Sequence, residues 1–544
     1  MERTFEQSRR QFLKTTGLTI GGLATVGMLA QAPARAYAAD NDEATSVDDI
    51  EWDEEYGVIV VGGGLAGRAA ALTVVSESDA TCLLLEKSAN TNGGGNSKFS
   101  AGRVLWTDDT ESFASYLKEM RGDMDNTPDE VLEAFAEGIG ENLTWLRTLN
   151  RWVETDATIT EFYDEDAHES CYPEYPELPH AHSFGNLYFN SDNEDGFSHV
   201  MHLIIAEVDD YEDQFTLKTS APMTALVQDP DDKTILGVTY ELDGETIYAK
   251  ATYGVIMTCG GFENNATMRG DYLSGTTARP IASQSNEGDG ITACAKCGAD
   301  MWHMNSCAGF WTSVSPIEEG NAAMRTSKKY GITVAINGRR FFMDHDSDHE
   351  HYWDTWGDIE EYQLATHVGV RHGHMQFGGE WPHLPMPKDT WFIVDDDNYA
   401  SVVEDLGYDP IELGGYGYVA DTITELAETI GLPEGELETT VERYNECCEN
   451  GEDIYYYRPA EVLIPVQTAP FYALHCSATL LNTDGGPRRS AKGEIIDLDG
   501  DPIPHLYSAG EFGSVWSHMY NGGGNLGECL AFGRISARNC LGIA

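Results

Sequence analysis

A glycine-rich segment beginning at residue 62 has the composition and spacing of a phosphate-binding turn. It reads Gly62-Gly63-Gly64-Leu65-Ala66-Gly67, so glycine occupies its first, third and sixth positions. Glycine at the first position permits a tight turn, glycine at the third lets a phosphate approach the backbone, and glycine at the sixth lets a helix pack closely on a strand. A phosphate bound there faces the positive end of the helix that follows. The segment therefore predicts a dinucleotide-binding turn.

An acidic residue stands where such a turn requires one. Glu86 follows Gly62 by 24 residues and ends the apolar run that begins at Cys82, where its carboxylate can accept hydrogen bonds from a ribose hydroxyl. The run 57–61 is short, β-branched and followed at once by glycines, which predicts a buried parallel strand. Residues 65–76 are rich in Ala, Leu and Val and predict a helix. Residues 57–86 are therefore expected to form a βαβ unit.

The rest of the sequence predicts a cofactor domain with a second domain inserted into it. Residues 108–210 are mainly helical and polar, and residues 216–250 alternate like antiparallel strands, with a turn at 229–232. Residues 270–459 mix helical and strand patterns, including an amphipathic helix at 421–429. The C-terminal segment returns to strand, glycine turn and helix. This order is typical of an α/β fold whose cofactor domain is interrupted.

The charge of the chain excludes one class of function. The sequence has 33 Lys and Arg against 91 Asp and Glu, giving a net charge of -58. Such a field repels nucleic acid and anionic membrane surfaces. It is compatible with docking a basic redox partner, although a solvated acidic surface also accounts for it. No nucleic-acid partner is therefore expected.

Residues 1–38 have the composition of a cleavable export signal. They contain Ser8-Arg9-Arg10-Gln11-Phe12-Leu13-Lys14, then an apolar run, and end at Ala36-Tyr37-Ala38, an A-x-A cleavage pattern. The paired arginines resemble the twin-arginine signal, which carries folded, cofactor-loaded proteins. The apolar run is short for a membrane anchor. The mature protein is therefore expected in the periplasm or on the outer face of the cell membrane, with an acidic linker at 39–55.

Eleven cysteines are scattered along the chain, an odd number that does not indicate a disulfide framework. The sequence contains no C-x-x-C-H haem-attachment motif, so any haem must lie on another chain. Cys294, Cys297 and Cys307 could supply three thiolates to an iron–sulfur cluster. Their spacing also fits a buried helix, and no fourth ligand is evident. Residues 344–351 contain metal-capable side chains, but a solvated acidic loop has the same composition, and no metal is assigned.

Further glycine-rich motifs follow in order along nearly the whole mature chain. They are Gly93-Gly94-Gly95-Asn96-Ser97, Ser100-Ala101-Gly102, Cys259-Gly260-Gly261-Phe262, Gly288-Asp289-Gly290, Asn337-Gly338-Arg339-Arg340-Phe341, Ala509-Gly510-Glu511 and Gly522-Gly523-Gly524-Asn525. In type and order they resemble the fumarate reductase and 3-ketosteroid dehydrogenase superfamily of FAD-dependent oxidoreductases, which act on CH–CH groups. The resemblance implies a Rossmann-like FAD-binding domain of the GR2 type, at 56–272 and 456–544, interrupted by an α+β capping domain at 273–455.

The resemblance also implies which residues contact one non-covalent FAD. Glu511 would lie near the flavin ribityl or pyrophosphate, and the turn from Gly523 to Leu526 near the isoalloxazine ring. The full expected set is Gly62, Gly64, Ala66, Gly67, Glu86, Lys87, Gly94, Gly95, Asn96, Ser97, Gly102, Gly260, Gly261, Asp289, Glu511, Asn525 and Leu526.

The substrate motifs depart from the fumarate reductase pattern. Those enzymes carry a proton-donating arginine where this sequence has residues 327–334, which contain none. Their substrate-binding His and Arg are replaced by Asn482 and by the turn Tyr520-Asn521-Gly522-Gly523-Gly524. A dicarboxylate needs bidentate cationic partners, and lysine is a poor substitute for a guanidinium group. Fumarate is therefore disfavoured as the substrate.

The final turn instead resembles the Y-x-G-x-G of ketosteroid dehydrogenases, whose tyrosine hydroxyl and last glycine amide hold a ketone. The resemblance implies that Tyr520 and the Gly524 amide polarise a conjugated carbonyl and stabilise an enolate after hydride reaches the β-carbon from reduced flavin. A second acid must protonate the α-carbon. Tyr330 is the candidate because it lies beside the family's proton-donor segment, with Lys328 as the alternative.

These features predict an exported reductase of an activated C=C bond, in an enone or an unsaturated lactone such as those of steroidal glycosides. Electrons would come from a separate carrier, a c-type cytochrome or a quinol-linked protein. The alternatives are a 3-ketosteroid-type dehydrogenase and a reductase of an unsaturated carboxylate such as urocanate, cinnamate or fumarate. In a reductase of an unsaturated carboxylate, the substrate carboxylate would be bound by Lys328, Lys329, Arg488 or Arg489. A non-enzymatic flavin electron-transfer module is the remaining possibility.

Overall fold

In the computed structural model, residues from Ser46 onwards form one compact unit. The structure describes residues 47, 50–89, 94–100, 102–123, 126–150, 175, 178–188, 199–273, 278–315, 330–341, 373–374, 390–456, 458, 460–517 and 520–544. The predicted signal at 1–38 lies outside these ranges, and so does the acidic run 344–351. Among the described helices, none is both long enough and apolar enough to cross a membrane.

Strands and helices alternate along the described chain. The strands are β1 Glu54–Val61, β2 Cys82–Leu85, β3 Arg103–Trp106, β4 Gly185–Tyr188, β5 Phe215–Lys218, β6 Met223–Gln228, β7 Ile235–Leu242, β8 Glu245–Met257, β9 Arg279–Pro280, β10 Met301–Trp302, β11 Cys307–Val314, β12 Gly331–Val334, β13 Gly373–His374, β14 Thr390–Asp395, β15 Gly417–Ala420, β16 Phe471–Thr483, β17 Gly486–Pro487, β18 Glu494–Ile496 and β19 Pro502–Ser508. The helices are α1 Leu65–Glu77, α2 Thr110–Arg121, α3 Asp129–Thr148, α4 His199–Asp209, α5 Ala266–Tyr272, α6 Asp289–Lys296, α7 Asp396–Leu406, α8 Pro410–Leu413, α9 Ile423–Thr429, α10 Glu436–Asn450 and α11 Gly524–Leu541.

The first sheet carries the predicted βαβ unit at its centre. Its strand order is β18-β19-β8-β1-β2-β5, and β6 and β7 extend it from β8. Strand β1 pairs in parallel with β2 on one side and with β8 on the other, and β19 runs parallel to β8. The carboxyl ends of these parallel strands therefore meet at one edge of the sheet. An α/β architecture with a parallel-stranded core is confirmed.

Both faces of this sheet are buried, which explains why its central strands are apolar throughout. Val58 and Val60 of β1 belong to a core cluster with α1, α3 and α11, while Ile59 and Val61 belong to a second cluster with β7 and β8. A strand covered on both faces has no solvated side that would show polar alternation. The predicted strand and helix are confirmed. Strand β1 begins three residues earlier than expected, at Glu54, and Glu54 and Glu55 form ion pairs with Lys218 and Lys250.

A second sheet of seven strands lies in the middle of the chain. Its order is β12-β14-β16-β11-β13, and both β15 and β9 also pair with β16. The long strand β16 comes from the segment that the sequence assigned to the second part of the cofactor domain, at 456–544, yet it pairs in this second sheet. The domain boundaries themselves stay predictions. The amphipathic helix expected at 421–429 is confirmed as α9.

Candidate cofactor site and active site

The glycine-rich turn between β1 and α1 gives each of its three glycines a different environment. Gly62 has a φ of +111°, a conformation that disfavours any side chain. A Cβ on Gly67 would lie 1.9 Å from the carbonyl oxygen of Gly62, whereas a Cβ on Gly64 would approach nothing closer than 3.7 Å. The structure therefore has a tight turn at Gly62, an open face at Gly64 and close helix–strand packing at Gly67.

Glu86 is fixed beside this turn by backbone amides. Its Oε2 accepts a hydrogen bond from the Gly63 N–H at 2.8 Å, and its Oε1 accepts one from the Ser88 N–H at 2.7 Å. The side chain is only 5% exposed. Each carboxylate oxygen can accept more than one hydrogen bond. Glu86 can therefore still receive a ribose hydroxyl while its position is held by the protein.

A cavity opens at this edge of the first sheet, and its empty space, including the part open to solvent, is about 760 Å³. Eleven of the expected FAD-contacting residues line it. They are Gly62, Gly64, Ala66, Glu86, Lys87, Gly95, Asn96, Ser97, Gly260, Asp289 and Glu511.

The other expected FAD-contacting residues lie outside the lining of this cavity. The Gly94 N–H donates to the Gly63 carbonyl at 3.4 Å. Gly102 has a φ of +76°, and a Cβ on Gly261 would lie 2.0 Å from Thr483 Oγ1. Asn525 Nδ2 reaches Glu511 Oε1 at 3.5 Å. Gly67 is likewise outside the lining, and Leu526 is buried at the start of α11.

The single lysine among these residues is already held by carboxylates. Lys87 Nζ lies 3.1 Å from Glu287 Oε2 and 3.2 Å from Asp289 Oδ2. Burial acts to lower the pKa of Lys87, but the two carboxylates outweigh it and raise that pKa. Its positive charge is therefore largely neutralised by the protein at the mouth of the cavity.

A carboxyl group that the sequence analysis missed lies behind the cavity. Glu263 is fully buried and accepts hydrogen bonds from Asn96 Nδ2 at 2.7 Å and Asn286 Nδ2 at 2.6 Å. The same Asn96 nitrogen donates to Glu511 Oε2 at 3.0 Å. Burial raises the pKa of Glu263 and raises that of Glu511 further, because Glu263 adds its repulsion. Glu263 follows the Gly260-Gly261-Phe262 motif directly, which was the signal available in the sequence.

The residues around the cavity fit FAD. The open face at Gly64 leaves room for the diphosphate at the N-terminus of α1, where backbone N–H groups and the helix dipole favour anions. Glu86 stands at the expected distance along the chain for a ribose contact. Separate segments of the chain meet at the cavity, among them 61–66, 95–97 and 258–260.

Tyr520 lies next to the N-terminus of the last helix. It is 7% exposed, and its hydroxyl accepts a hydrogen bond from the Asn525 N–H at 3.2 Å. Its ring meets Trp516 edge to face, with centroids 5.3 Å apart. The Gly524 N–H, expected to hold a substrate carbonyl, donates to the Asn521 carbonyl at 2.9 Å. The donor role of Gly524 stays a prediction, and it requires this backbone bond to be exchanged for one to the substrate.

The two proton-donor candidates lie at the start of the second sheet. Tyr330 immediately precedes β12, is half-buried, and packs against a cluster formed by residues of β11, β14, β16 and α7. Lys328 lies outside the described residues, as does Lys329. The assignment of Tyr330 or Lys328 as the acid therefore stays a prediction.

The described arginines considered as a carboxylate clamp have other partners. Arg489 is fully buried, lies 3.1 Å from Glu528 and donates to the Gly510 carbonyl at 2.7 Å. Arg488 Nε lies 2.6 Å from Asp300 Oδ2. Asn482, at the position of the family's histidine, donates to Asp484 at 2.8 Å. These contacts hold the structure together and offer little to a substrate carboxylate.

The three cysteines of the possible iron–sulfur site are free thiols. Cys294 and Cys307 are completely buried in the second core cluster, and Cys297 packs against it. Burial raises the pKa of Cys294 and Cys307 well above that of an ordinary thiol. Within the described ranges, no group of three or more His, Cys, Asp and Glu side chains could hold a metal ion. These thiols therefore have the character of core residues.

Comparisons with known proteins agree with this site. Residues 57–526 match the model of the family described as FAD binding domain. The chain is 27% identical to digoxin reductase of Eggerthella lenta, over 98% of this chain and 97% of that enzyme. It is 26% identical to urocanate reductase of the same organism, over 96% of this chain and 82% of that enzyme.

Solved structures show the same fold. A 3-ketosteroid Δ1-dehydrogenase from Sterolibacterium denitrificans superposes with a TM-score of 0.68 at 20% identity, covering 90% of this chain and all of that one. A flavocytochrome c3 fumarate reductase superposes with a TM-score of 0.63 at 20% identity, covering 90% of this chain and 78% of that one. At this identity the likeness concerns the fold alone.

Proposed function

The chain belongs to the FAD binding domain family and is an FAD-dependent oxidoreductase, and we propose that it reduces the activated C=C bond of a neutral enone or unsaturated lactone. The observation that carries this proposal is Tyr520, a buried hydroxyl held at the start of α11 by the Asn525 amide. The similarity to digoxin reductase extends over nearly the full length of both chains, which supports an unsaturated carbonyl as the substrate class.

The proposed roles of the residues follow from the charge that develops during the reduction. FAD held at the glycine-rich turn, beside Glu86 and Glu511, would supply a hydride to the β-carbon once reduced. Negative charge then accumulates on the carbonyl oxygen, where the Tyr520 hydroxyl donates a hydrogen bond. A hydroxyl that accepts an amide N–H is polarised into a stronger donor, so the contact with Asn525 favours this role. A proton delivered to the α-carbon by Tyr330 or Lys328 completes the saturation.

The alternative substrate class is an unsaturated carboxylate, which the similarity to urocanate reductase brings forward. Arg489 is fully buried against Glu528, and Arg488 is paired with Asp300. Neither guanidinium is disposed to clamp a substrate carboxylate, which favours the neutral substrate. The reverse reaction, a 3-ketosteroid-type dehydrogenation, would use the same Tyr520 hydroxyl to polarise the ketone, and it is suggested by the fold shared with the Δ1-dehydrogenase.

We also propose that the enzyme works outside the cytoplasmic membrane. The arginine pair at 9–10 and the cleavage pattern at 36–38 support twin-arginine export. Because NAD(P)H is confined to the cytoplasm, electrons would come from a separate c-type cytochrome or quinol-linked carrier. The acidic surface of the chain would attract a basic donor of this kind. Export is tested by replacing Arg9 and Arg10 with lysine, which should leave the protein unprocessed in the cytoplasm.

The substrate class is tested by anaerobic reoxidation of the enzyme. The bound flavin is reduced with dithionite or a viologen, and its absorbance is followed after separate additions of fumarate, urocanate, cinnamate, a 4-en-3-one steroid and an unsaturated lactone. Rapid reoxidation by the steroid or the lactone is expected. Reoxidation by the carboxylates alone would contradict the proposal.

The role of Tyr520 is tested in the same assay. The substitution Tyr520→Phe removes the hydroxyl and should slow reoxidation by about 10²–10³-fold, the usual cost of losing one such donor. Tyr408→Phe is the matched control, since that hydroxyl donates to the Val314 carbonyl at 3.2 Å in the second sheet. Unchanged turnover of every accepted substrate by Tyr520→Phe would refute the site assignment.

A further inference from the structure

Glu263 and Glu511 form a carboxyl pair bridged by a single amide group, with Glu263 fully buried and Glu511 half-buried in the cavity lining. Asn96 Nδ2 donates one hydrogen to Glu263 Oε1 at 2.7 Å and the other to Glu511 Oε2 at 3.0 Å. The Asn96 side chain is itself oriented by the Ser283 N–H, which donates to its Oδ1 at 3.1 Å. The two glutamates are 248 residues apart in the sequence, so only the fold brings them to one amide.

The polar groups that contact the pair directly are mostly neutral. Glu263 also accepts from Asn286 Nδ2 at 2.6 Å and from Thr483 Oγ1 at 3.2 Å. Hydrogen bonds from amides and hydroxyls stabilise one buried carboxylate, but they do not cancel the repulsion between two. Without a full counter-charge, one of the two groups is expected to keep its proton.

The charged groups around the pair supply only part of that counter-charge. Arg269 donates to the backbone carbonyl of Glu263 and attracts its carboxyl through space, and Arg489 is paired with Glu528. The other titratable groups that act on the pair are the carboxyls of Asp484 and Glu528 and the thiols of Cys307 and Cys529. Carboxyls add negative charge and buried thiols stay neutral, so the surroundings favour retention of a proton.

The pair adjoins the place where FAD brings its negative charge. Asn96 and Glu511 line the cofactor cavity, and a Cβ on Gly510 would lie 2.8 Å from the Cβ of Ala66 in the first turn of α1. The diphosphate is expected at that turn. Glu86 and Asp289 also line the cavity, and its lysine, Lys87, is already ion-paired. An anionic cofactor therefore enters a cavity whose own side chains are acidic.

We propose that Glu263 and Glu511, bridged by Asn96, together hold one proton on one or other of their carboxyl groups, and that this proton is required for tight binding of FAD. Glu263 is then a positioning residue that acts on the cofactor through Glu511. FAD binding should be strongest while the pair is singly protonated. Above the pH at which the pair loses its proton, binding must take a proton from solution, so affinity falls as pH rises, by about tenfold per pH unit for one proton. This inference depends on FAD alone and holds whichever substrate is used.

Dilution of the holoenzyme tests this proposal. Samples are diluted at a series of pH values over which the protein stays folded, and released FAD is measured by its fluorescence to give a dissociation constant at each pH. Above the pH at which the pair loses its proton, the wild type should bind more weakly by about tenfold per pH unit. Glu263→Gln leaves one carboxyl group in place of two, so it reproduces the charge of the singly protonated pair. Its dissociation constant should not change with pH.

Glu207→Gln is the matched control. Glu207 is 3% exposed and accepts hydrogen bonds from Asn150 N and Nδ2 at 3.1 and 3.2 Å, away from the cavity lining. It should retain the pH dependence of the wild type. If Glu263→Gln does not fold, Glu511→Gln gives the same test, because it also leaves one carboxyl. A wild type without pH dependence, or a slope that survives in the Glu263→Gln or Glu511→Gln variant, would overturn the proposal.

Discussion

At the residue scale, substitutions of Gly64 and Gly67 are expected to affect different properties, FAD binding at Gly64 and folding at Gly67. The φ of Gly64 is -68° and its Cβ position is open, so Gly64→Ala should fold normally. The added methyl group would point into the space for the diphosphate. Overpacking of this kind costs about 1–3 kcal/mol, which weakens FAD binding by about 10–100-fold. Fluorescence titration of released flavin measures this effect, and thermal unfolding monitors the fold.

Gly67→Ala provides the contrasting case. Its methyl group would lie 1.9 Å from the Gly62 carbonyl oxygen, so α1 would have to move away from β1. Because the backbone of a packed strand cannot yield cheaply, we expect a loss of about 3 kcal/mol or more in the free energy of unfolding. If Gly64→Ala were the less stable of the two variants, the assignment of the open and closed positions would be wrong.

Residues of the site differ in how far the sequence could predict them. Glu86 and the glycine-rich turn are local features, since the turn, the helix and the acid lie within one βαβ unit. Glu263 could not be predicted as a partner of Glu511, because their contact depends on a pairing across the fold through Asn96. For the same reason, the sequence could not show that the Gly524 N–H is bonded to Asn521 or that Arg489 is occupied by Glu528.

At the element scale, Asn142 on α3 joins that helix to β3 and α11. It is fully buried on α3, and its Nδ2 donates to the Leu105 carbonyl on β3 and the Gly527 carbonyl on α11, at 3.1 and 3.3 Å. Its Oδ1 accepts from Arg534 at 2.9 Å. Asn142→Ala would leave two carbonyls and a buried guanidinium short of partners. Each such loss costs about 1–3 kcal/mol, so we expect at least about 3 kcal/mol of destabilisation in urea unfolding.

Asn539→Ala is the control for this substitution. Asn539 also lies on α11, but its Nδ2 donates only one turn back, to the Ile535 carbonyl at 2.9 Å. A local bond of this kind contributes less than about 1.5 kcal/mol, and alanine is the better helix former. Equal destabilisation by the two variants would show that Asn142 does not connect the elements.

The elements themselves were predictable where their pattern is local. The strand before the glycine turn, α1 and α9 follow from hydrophobic patterning and caps over short windows. The second sheet is different, because β16 pairs with β9, β11, β14 and β15, from segments well separated along the chain. No short-range pattern specifies such partners, and the sequence accordingly assigned β16 to the cofactor domain. Sheet membership depends on long-range pairing, which periodicity does not encode.

At the scale of the whole molecule, exposed and buried carboxyl groups respond differently to salt. The chain has a net charge of -58, and repulsion between exposed charges is screened by salt. Glu263 and Glu528 are fully buried, where salt screens little. Burial raises the pKa of Glu528 from 4.5 to about 7, with Arg489 acting in the opposite direction. Varying the salt concentration therefore distinguishes the effect of exposed charges on stability from the effect of buried carboxyl groups.

The buried glutamates predict that the protein loses stability as pH rises. Below about pH 4.5, these groups are protonated in both the folded and the unfolded state. As pH rises above that value, the unfolded chain releases its protons while the folded chain retains them, so the free energy of unfolding falls until pH passes the folded-state pKa. For Glu528 alone, a shift to about 7 corresponds to about 3 kcal/mol over this interval.

Urea unfolding of the holoenzyme at several pH values, at low and at high salt, measures the effect. High salt should raise stability at every pH by screening the surface, yet the decline with pH should persist, because its source is buried. A decline that vanished at high salt would assign the whole effect to surface repulsion and would contradict the protonated state of the buried glutamates.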